Sequence, residues 1–173
     1  MIDIINTLLP IATIATQFII VVLIALLLVG EKTITGFIGK YAILIAFIVS
    51  LGATMGSLFY SEIMAYVPCA LCWWQRMFVY PQVILLGIAL WKNDEHVRIY
   101  SGALAIIGGA IALYHSLLQM GLVPSLLCAT GGGAASCAQR LVFEFGYVTL
   151  PLMSLSIFIL IALLMFGVKK VDN

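Results

Sequence analysis

Along this 173-residue chain the polar positions are gathered into short gaps between long apolar runs. Nearly uncharged stretches extend from Ile11 to Val29, Tyr41 to Tyr60, Trp73 to Trp91, Ile99 to Met120 and Tyr147 to Val168, and Arg76, near the start of the third, is their only full charge. Each is close to the ~20 residues that a helix needs to cross the hydrocarbon of a bilayer. The pattern predicts an all-α integral membrane protein with five transmembrane helices. Continuous runs of this length exclude a β-barrel, whose strands alternate at period two and are about half as long. No connection has room for a soluble domain and no internal repeat appears, so residues 1–173 read as a single membrane domain. The first run is expected to stay in the mature chain. Its start, MIDIINTLLP, has no basic residue, its apolar stretch is too long for a signal, and no small-x-small cleavage site follows.

The bulk composition, 64% hydrophobic and 9% charged with a mean hydropathy of +1.22, agrees with that class. A net charge of +1 leaves no basic footprint for nucleic acid. The spans also lack the ionisable residues that would line an aqueous ion pathway. Charge does orient the chain: Lys32, Lys40, Lys92, Arg98, Lys169 and Lys170 fall on one side of a five-span topology, and only Arg76 and Arg140 on the other. The first side is expected to be cytoplasmic, which puts the N-terminus outside and the C-terminus inside.

The four cysteines then all fall outside, Cys69 and Cys72 between spans two and three, Cys128 and Cys137 between spans four and five. An even number of locally grouped thiols in an oxidising compartment reads as two disulfides, and Cys69 with Cys72 plus Cys128 with Cys137 is the simplest of three connectivities. Structural crosslinks and a zinc site of all four thiols are the alternatives. A bridge over two residues restrains the unfolded chain little, and the eight-residue spacer ATGGGAAS is looser than zinc-knuckle spacing, so redox chemistry is favoured. The consecutive glycines of that spacer let Cys128 move relative to Cys137, whereas Pro68 and the following span fix Cys69 and Cys72. Two pairs of opposite mobility suggest a thiol–disulfide relay.

A third helix that starts near Cys69 would offer Cys72 its first-turn N–H groups and the positive end of its dipole, favouring a thiolate there. Arg76 follows at i+4, either as an interfacial anchor helped by Trp73 and Trp74 or as a partner for an anion. His115, about five residues from the end of the fourth span, is expected at similar depth, and with Cys72 and Arg76 it would outline a pocket. The chain has no haem, iron–sulfur or dinucleotide motif, so a lipid-soluble quinone is the natural electron acceptor.

The stretch PCALCWWQRMFVYP, residues 68–81, with YHSLLQ at 114–119 and a later cysteine pair before the last span, resembles the DsbB family of disulfide-forming membrane oxidoreductases, in particular its BdbC-like branch. The resemblance covers residues 41–168 and implies a four-helix bundle, to which residues 11–30 add an extra N-terminal transmembrane helix. It also implies a bacterial cytoplasmic (inner) membrane location and a DsbA-like thioredoxin-fold partner. That partner would attack Cys128, Cys137 would pass the oxidation demand to Cys69, and Cys72 would face ubiquinone or menaquinone, with Arg76 and His115 at the quinone site. No metal is expected. The nearest enzymatic rival, a vitamin K epoxide reductase-like protein, places its loop cysteines before the C-x-x-C, the reverse of the order here.

Overall fold

The computed structural model describes residues 2–124, 137–138, 142 and 146–168. Five long helices follow one another: α1 (Ile2–Val29), α2 (Lys32–Leu58, continued by a π turn Phe59–Ile63), α3 (Ala70–Lys92), α4 (Val97–Gln119) and α5 (Leu150–Ala162, continued by a π turn Leu163–Gly167). Among the described residues, four stretches are long and apolar enough to cross a membrane: Thr7–Val29, Thr33–Ile63, Val97–Gln119 and Leu150–Gly167. At 23 residues α3 has the length for a fifth, about 35 Å at 1.5 Å per residue, but Gln75, Arg76 and Gln82 lower its hydropathy. Helices α1 to α4 begin earlier than the apolar runs and α5 begins three residues later; at α2 and α3 a capping side chain marks the start. Helix α1 continues through Pro10, and α2 starts beside Glu31, whose carboxylate accepts from the N–H of Thr33 at 3.2 Å.

Helices α2 to α5 pack around Ala42, Ala46, Leu86, Ala112, Phe158 and Ile161. Small residues let the backbones approach: an added Cβ at Gly108 would lie 2.5 Å from the Phe158 ring. At one end Arg98 ties three elements together. Its guanidinium donates to the carbonyl oxygens of Gly39 (2.7 Å), Val168 (3.1 Å) and Leu164 (3.2 Å), and it pairs with Glu95 at 2.7 Å. This residue, which enters the sequence argument only as a topology charge, satisfies carbonyls at the end of α5 that its π turn would otherwise leave open.

Helix α1 packs on this bundle. Ile20 and Leu23 are buried in the same core, and Gln17 donates to the Ser156 hydroxyl of α5 at 3.2 Å. Of the two glycines at small-xxx-small spacing in α2, Gly56 does meet a neighbour, Leu9 of α1, at 3.4 Å from an added Cβ. Gly52 does not, since a Cβ there would have nothing within 4 Å.

Candidate active site

At the opposite end from Arg98, the chain leaves α2 through its π turn and reverses at Ala65, a non-glycine residue at φ 52°. The N–H of Tyr66 closes that turn on the carbonyl of Tyr60 at 3.0 Å, and the two rings stack with centroids 6.0 Å apart. Pro68 then leads into α3. Cys69 is the N-cap, in extended conformation, and its sulfur accepts from the N–H of Cys72 at 3.4 Å. The first-turn dipole expected to act on Cys72 is therefore delivered to Cys69, because a capping side chain reaches forward over the first turn.

The sulfurs of Cys69 and Cys72 are 3.1 Å apart and both are free thiols. The two sulfurs expected to pair as a disulfide face each other without a bond between them. The hydrogen bond from the Cys72 thiol, helped by His115 and opposed by burial, brings the Cys69 thiol down to about 4. Cys69 lies ahead of the spanning helix, at the membrane boundary.

Cys137 is disulfide-bonded and 1% exposed, and it packs with Cys69, Leu71 and Leu118. Its expected partner Cys128, and Arg140, lie outside the described residues. With the Cys137 sulfur already in a disulfide, a zinc site of four thiols does not describe this structure. Cys69, Cys72 and His115 bring their ligand atoms within 4.8 Å of one another, but both nitrogens of His115 are engaged within the protein. The Gln75 amide donates to Nδ1 at 3.0 Å, so Nε2 carries the proton and donates to the Cys137 carbonyl at 3.1 Å, with the Cys69 sulfur 3.8 Å away. The imidazole thus links α3, α4 and the Cys137 segment.

Arg76 does line the same cavity as Cys72, and its hydrogen bonds run to α2. Nε donates to the Ser57 hydroxyl at 2.9 Å and Nη2 to the Ser57 carbonyl at 3.0 Å, while the guanidinium sits 5.5 Å from the centroid of the exposed Trp73 ring. The cavity, about 320 Å³, is bounded by all five helices, α4 contributing His115 and Gln119, and exposes Cys69, Cys72, Gln75 and Arg76 on a mainly apolar wall. Its size suits one ring-sized ligand.

Sequence reasoning missed Gln75, Ser57 and the contribution of α1 to this cavity. Gln75 did carry a signal, as a buried polar residue three positions after Cys72 in a span. Ser57 and α1 carried none.

The family model described as "Disulfide bond formation protein DsbB" matches residues 39–168. This chain belongs to the DsbB family. DsbB-family membership makes it a multi-pass membrane oxidoreductase of disulfide bond formation. Among similar proteins, "Probable disulfide formation protein C" of Bacillus cereus is 44% identical over 133 residues, covering 76% of this chain and 94% of that protein. "Disulfide bond formation protein C" of Bacillus subtilis is 39% identical over 129 residues, 72% of this chain and 89% of that one. "Probable disulfide formation protein" of Metapseudomonas resinovorans is 37% identical over 128 residues, 74% and 89% respectively. No solved structure matches significantly.

Proposed function

We propose that this DsbB-family protein oxidises the dithiol of a DsbA-like thioredoxin-fold partner outside the cytoplasmic membrane and passes the two electrons to membrane quinone. The observation that carries the reading is the position of the Cys69–Cys72 pair. On one side it meets the buried, disulfide-bonded Cys137, and on the other it opens into an apolar cavity at the membrane boundary.

Electrons and bonds balance along this path. A partner thiolate attacks Cys128, forming a mixed disulfide and releasing Cys137 as thiolate; the second partner thiol then attacks the mixed disulfide and leaves as oxidised partner. Cys137 attacks Cys69 of the oxidised C-x-x-C and displaces Cys72, and Cys128 in turn displaces Cys69 to re-form its bridge to Cys137. The reduced Cys69–Cys72 pair now holds the two electrons, and two protons accompany them to the acceptor. Quinone supplies the oxidising power, taking both to become quinol as the Cys69–Cys72 disulfide closes.

The residues present fit a quinone. Arg76, held by Ser57, and the Gln75 amide are donors for ring oxygens on an otherwise apolar wall, and Cys72 opens onto the same space. His115, with both nitrogens engaged, acts by holding the Cys137 carbonyl beside Cys69. The cluster of basic residues at the Arg98 end supports the orientation with the cysteines outside.

The test mixes purified protein in detergent with a reduced thioredoxin-fold oxidase and follows ubiquinone and menaquinone reduction by absorbance. Cys72→Ser is expected to abolish quinone reduction, and Cys128→Ser to abolish partner oxidation. Quinone reduction that survives loss of Cys72 would overturn the order of transfer, and stoichiometric zinc on the thiols would replace the redox reading altogether.

A further inference from the structure

We propose that α1 forms a wall of the acceptor cavity and that the seam between α1 and α2, at Ala12, Thr16 and Gly52, is the lateral opening through which the hydrocarbon tail of a quinone reaches the lipid. This rests on the quinone reading above. It adds a route, and it gives a role to a helix that lies outside the family match, which begins at residue 39.

Four residues of α1 line the cavity, Leu9, Ala12, Thr13 and Thr16. Their spacing, i, i+3, i+4 and i+7, is one helical face, and the next residues on that face, Ile20 and Leu23, are bulky and buried in the core. The face therefore changes along its length. Its second half seals against the bundle, and the small residues of its first half leave the hollow. The hydroxyls of Thr13 and Thr16 donate back to the carbonyls of Leu9 (2.9 Å) and Ala12 (2.8 Å), so they are satisfied within α1. They require no polar partner from whatever lies beside them, which suits a hydrocarbon occupant.

The two seams of α1 differ. Toward α5 it is bridged: Gln17 donates to Ser156, and Tyr147 donates to the side-chain amide oxygen (Oε1) of Gln17 at 3.0 Å, with Thr13 and Ser156 both buried. Toward α2, Leu9 meets Gly56, 3.4 Å from an added Cβ. Because the helices run antiparallel, one turn further along, about 6 Å deeper, Thr13 is level with Gly52. There the seam is open. Gly52 and Ala12 line the cavity and are exposed, and a Cβ on Gly52 would meet no atom within 4 Å. A ligand whose ring lies near Cys72 and whose tail must stay in lipid has this gap as its exit.

The test measures equilibrium binding, by quenching of tryptophan fluorescence in the full-length protein. Its probes are a decyl-tailed ubiquinone analogue and the same ring without a tail. Gly52→Phe adds bulk where nothing stands in its way and raises helix propensity, and Thr16→Phe narrows the seam from the other side. In at least one of the two variants the ratio of tailed to tail-less Kd is expected to rise about tenfold or more over wild type. A ratio unchanged in both overturns the portal. Wild-type protein that neither binds the tail-less ring nor reduces it with reduced partner overturns the quinone reading itself, so the two failures are distinct.

Discussion

The backbone N–H of Cys72 is directed at the sulfur of Cys69, 3.4 Å away, so the start of α3 acts on the first cysteine of the pair and leaves the second facing the cavity. For the function proposed above this would divide the labour between the two thiols: Cys69 would exchange with Cys137, which packs beside it, and Cys72 would meet the acceptor in the cavity it lines.

The Cys69 thiol, held down at about 4, is expected to remain a thiolate from neutral pH down to roughly that value and to be protonated below it. The difference in ultraviolet thiolate absorbance between the reduced protein and Cys69→Ser should show this midpoint. Cys72→Ala removes the largest cause of the lowering, so the midpoint should move up toward the ordinary thiol value of ~8.5. A midpoint that stays near its original position in Cys72→Ala would assign the effect elsewhere.

Loss of the Gln75 amide leaves Nδ1 of the buried His115 without its donor. Gln75→Leu is expected to cost about 1–3 kcal/mol in thermal unfolding and to slow transfer from Cys137 to Cys69. Direct reduction of the C-x-x-C by a small dithiol, which bypasses Cys137, should be affected less. Equal slowing of both reactions would argue against a positioning role for His115.

Arg76 is positioned by Ser57. Ser57→Ala removes one of its two hydrogen bonds to α2 and is expected to weaken quinone binding by about 1 kcal/mol, roughly fivefold in Kd, with helix content unchanged by circular dichroism. Arg76→Lys, which loses the two-point geometry, should weaken it more. If Ser57→Ala binds quinone as wild type does, the Ser57 contact serves only to join the helices.

Packing of α4 on α5 separates two adjacent glycines. An added Cβ at Gly108 would stand 2.5 Å from the ring of the buried Phe158, whereas at Gly109 it would make ordinary contact at 3.4 Å. Gly108→Ala is therefore expected to destabilise by about 1–3 kcal/mol in a thermal melt, by overpacking. Gly109→Ala should be neutral or stabilising by up to about 1 kcal/mol, from helix propensity. Similar melts for the two variants would mean that α4 and α5 can separate at little cost.

Much of this protein was legible without coordinates. The five helices follow from apolar runs of bilayer length, and the family from residues 68–81, because C-x-x-C beside Trp73, Trp74 and Arg76 is a local pattern. The N-cap role of Cys69 was nearly in reach, since Pro68 marks the helix start. Assigning the first-turn N–H to Cys72 failed because a cap accepts from a residue further along the chain. Gln75 stood out only as a polar residue in a span, and nothing in its neighbourhood named His115 as its partner.

The sequence by itself determined which segments are long and apolar enough to cross a membrane, where along the chain the thiols are grouped and which family their motif belongs to. Those properties are set within one segment: a bilayer demands continuous apolar surface with internally paired backbone, and a motif states its residue types at fixed spacing. Only the tertiary structure decided that His115 joins Gln75 to the Cys137 carbonyl, that Arg76 reaches Ser57, and that α1 walls the cavity beside Gly52. These meetings depend on the depth and rotation at which separate helices pack. That register is set by the fit of side chains such as Leu9 on Gly56 and Phe158 on Gly108, which no single stretch of chain contains.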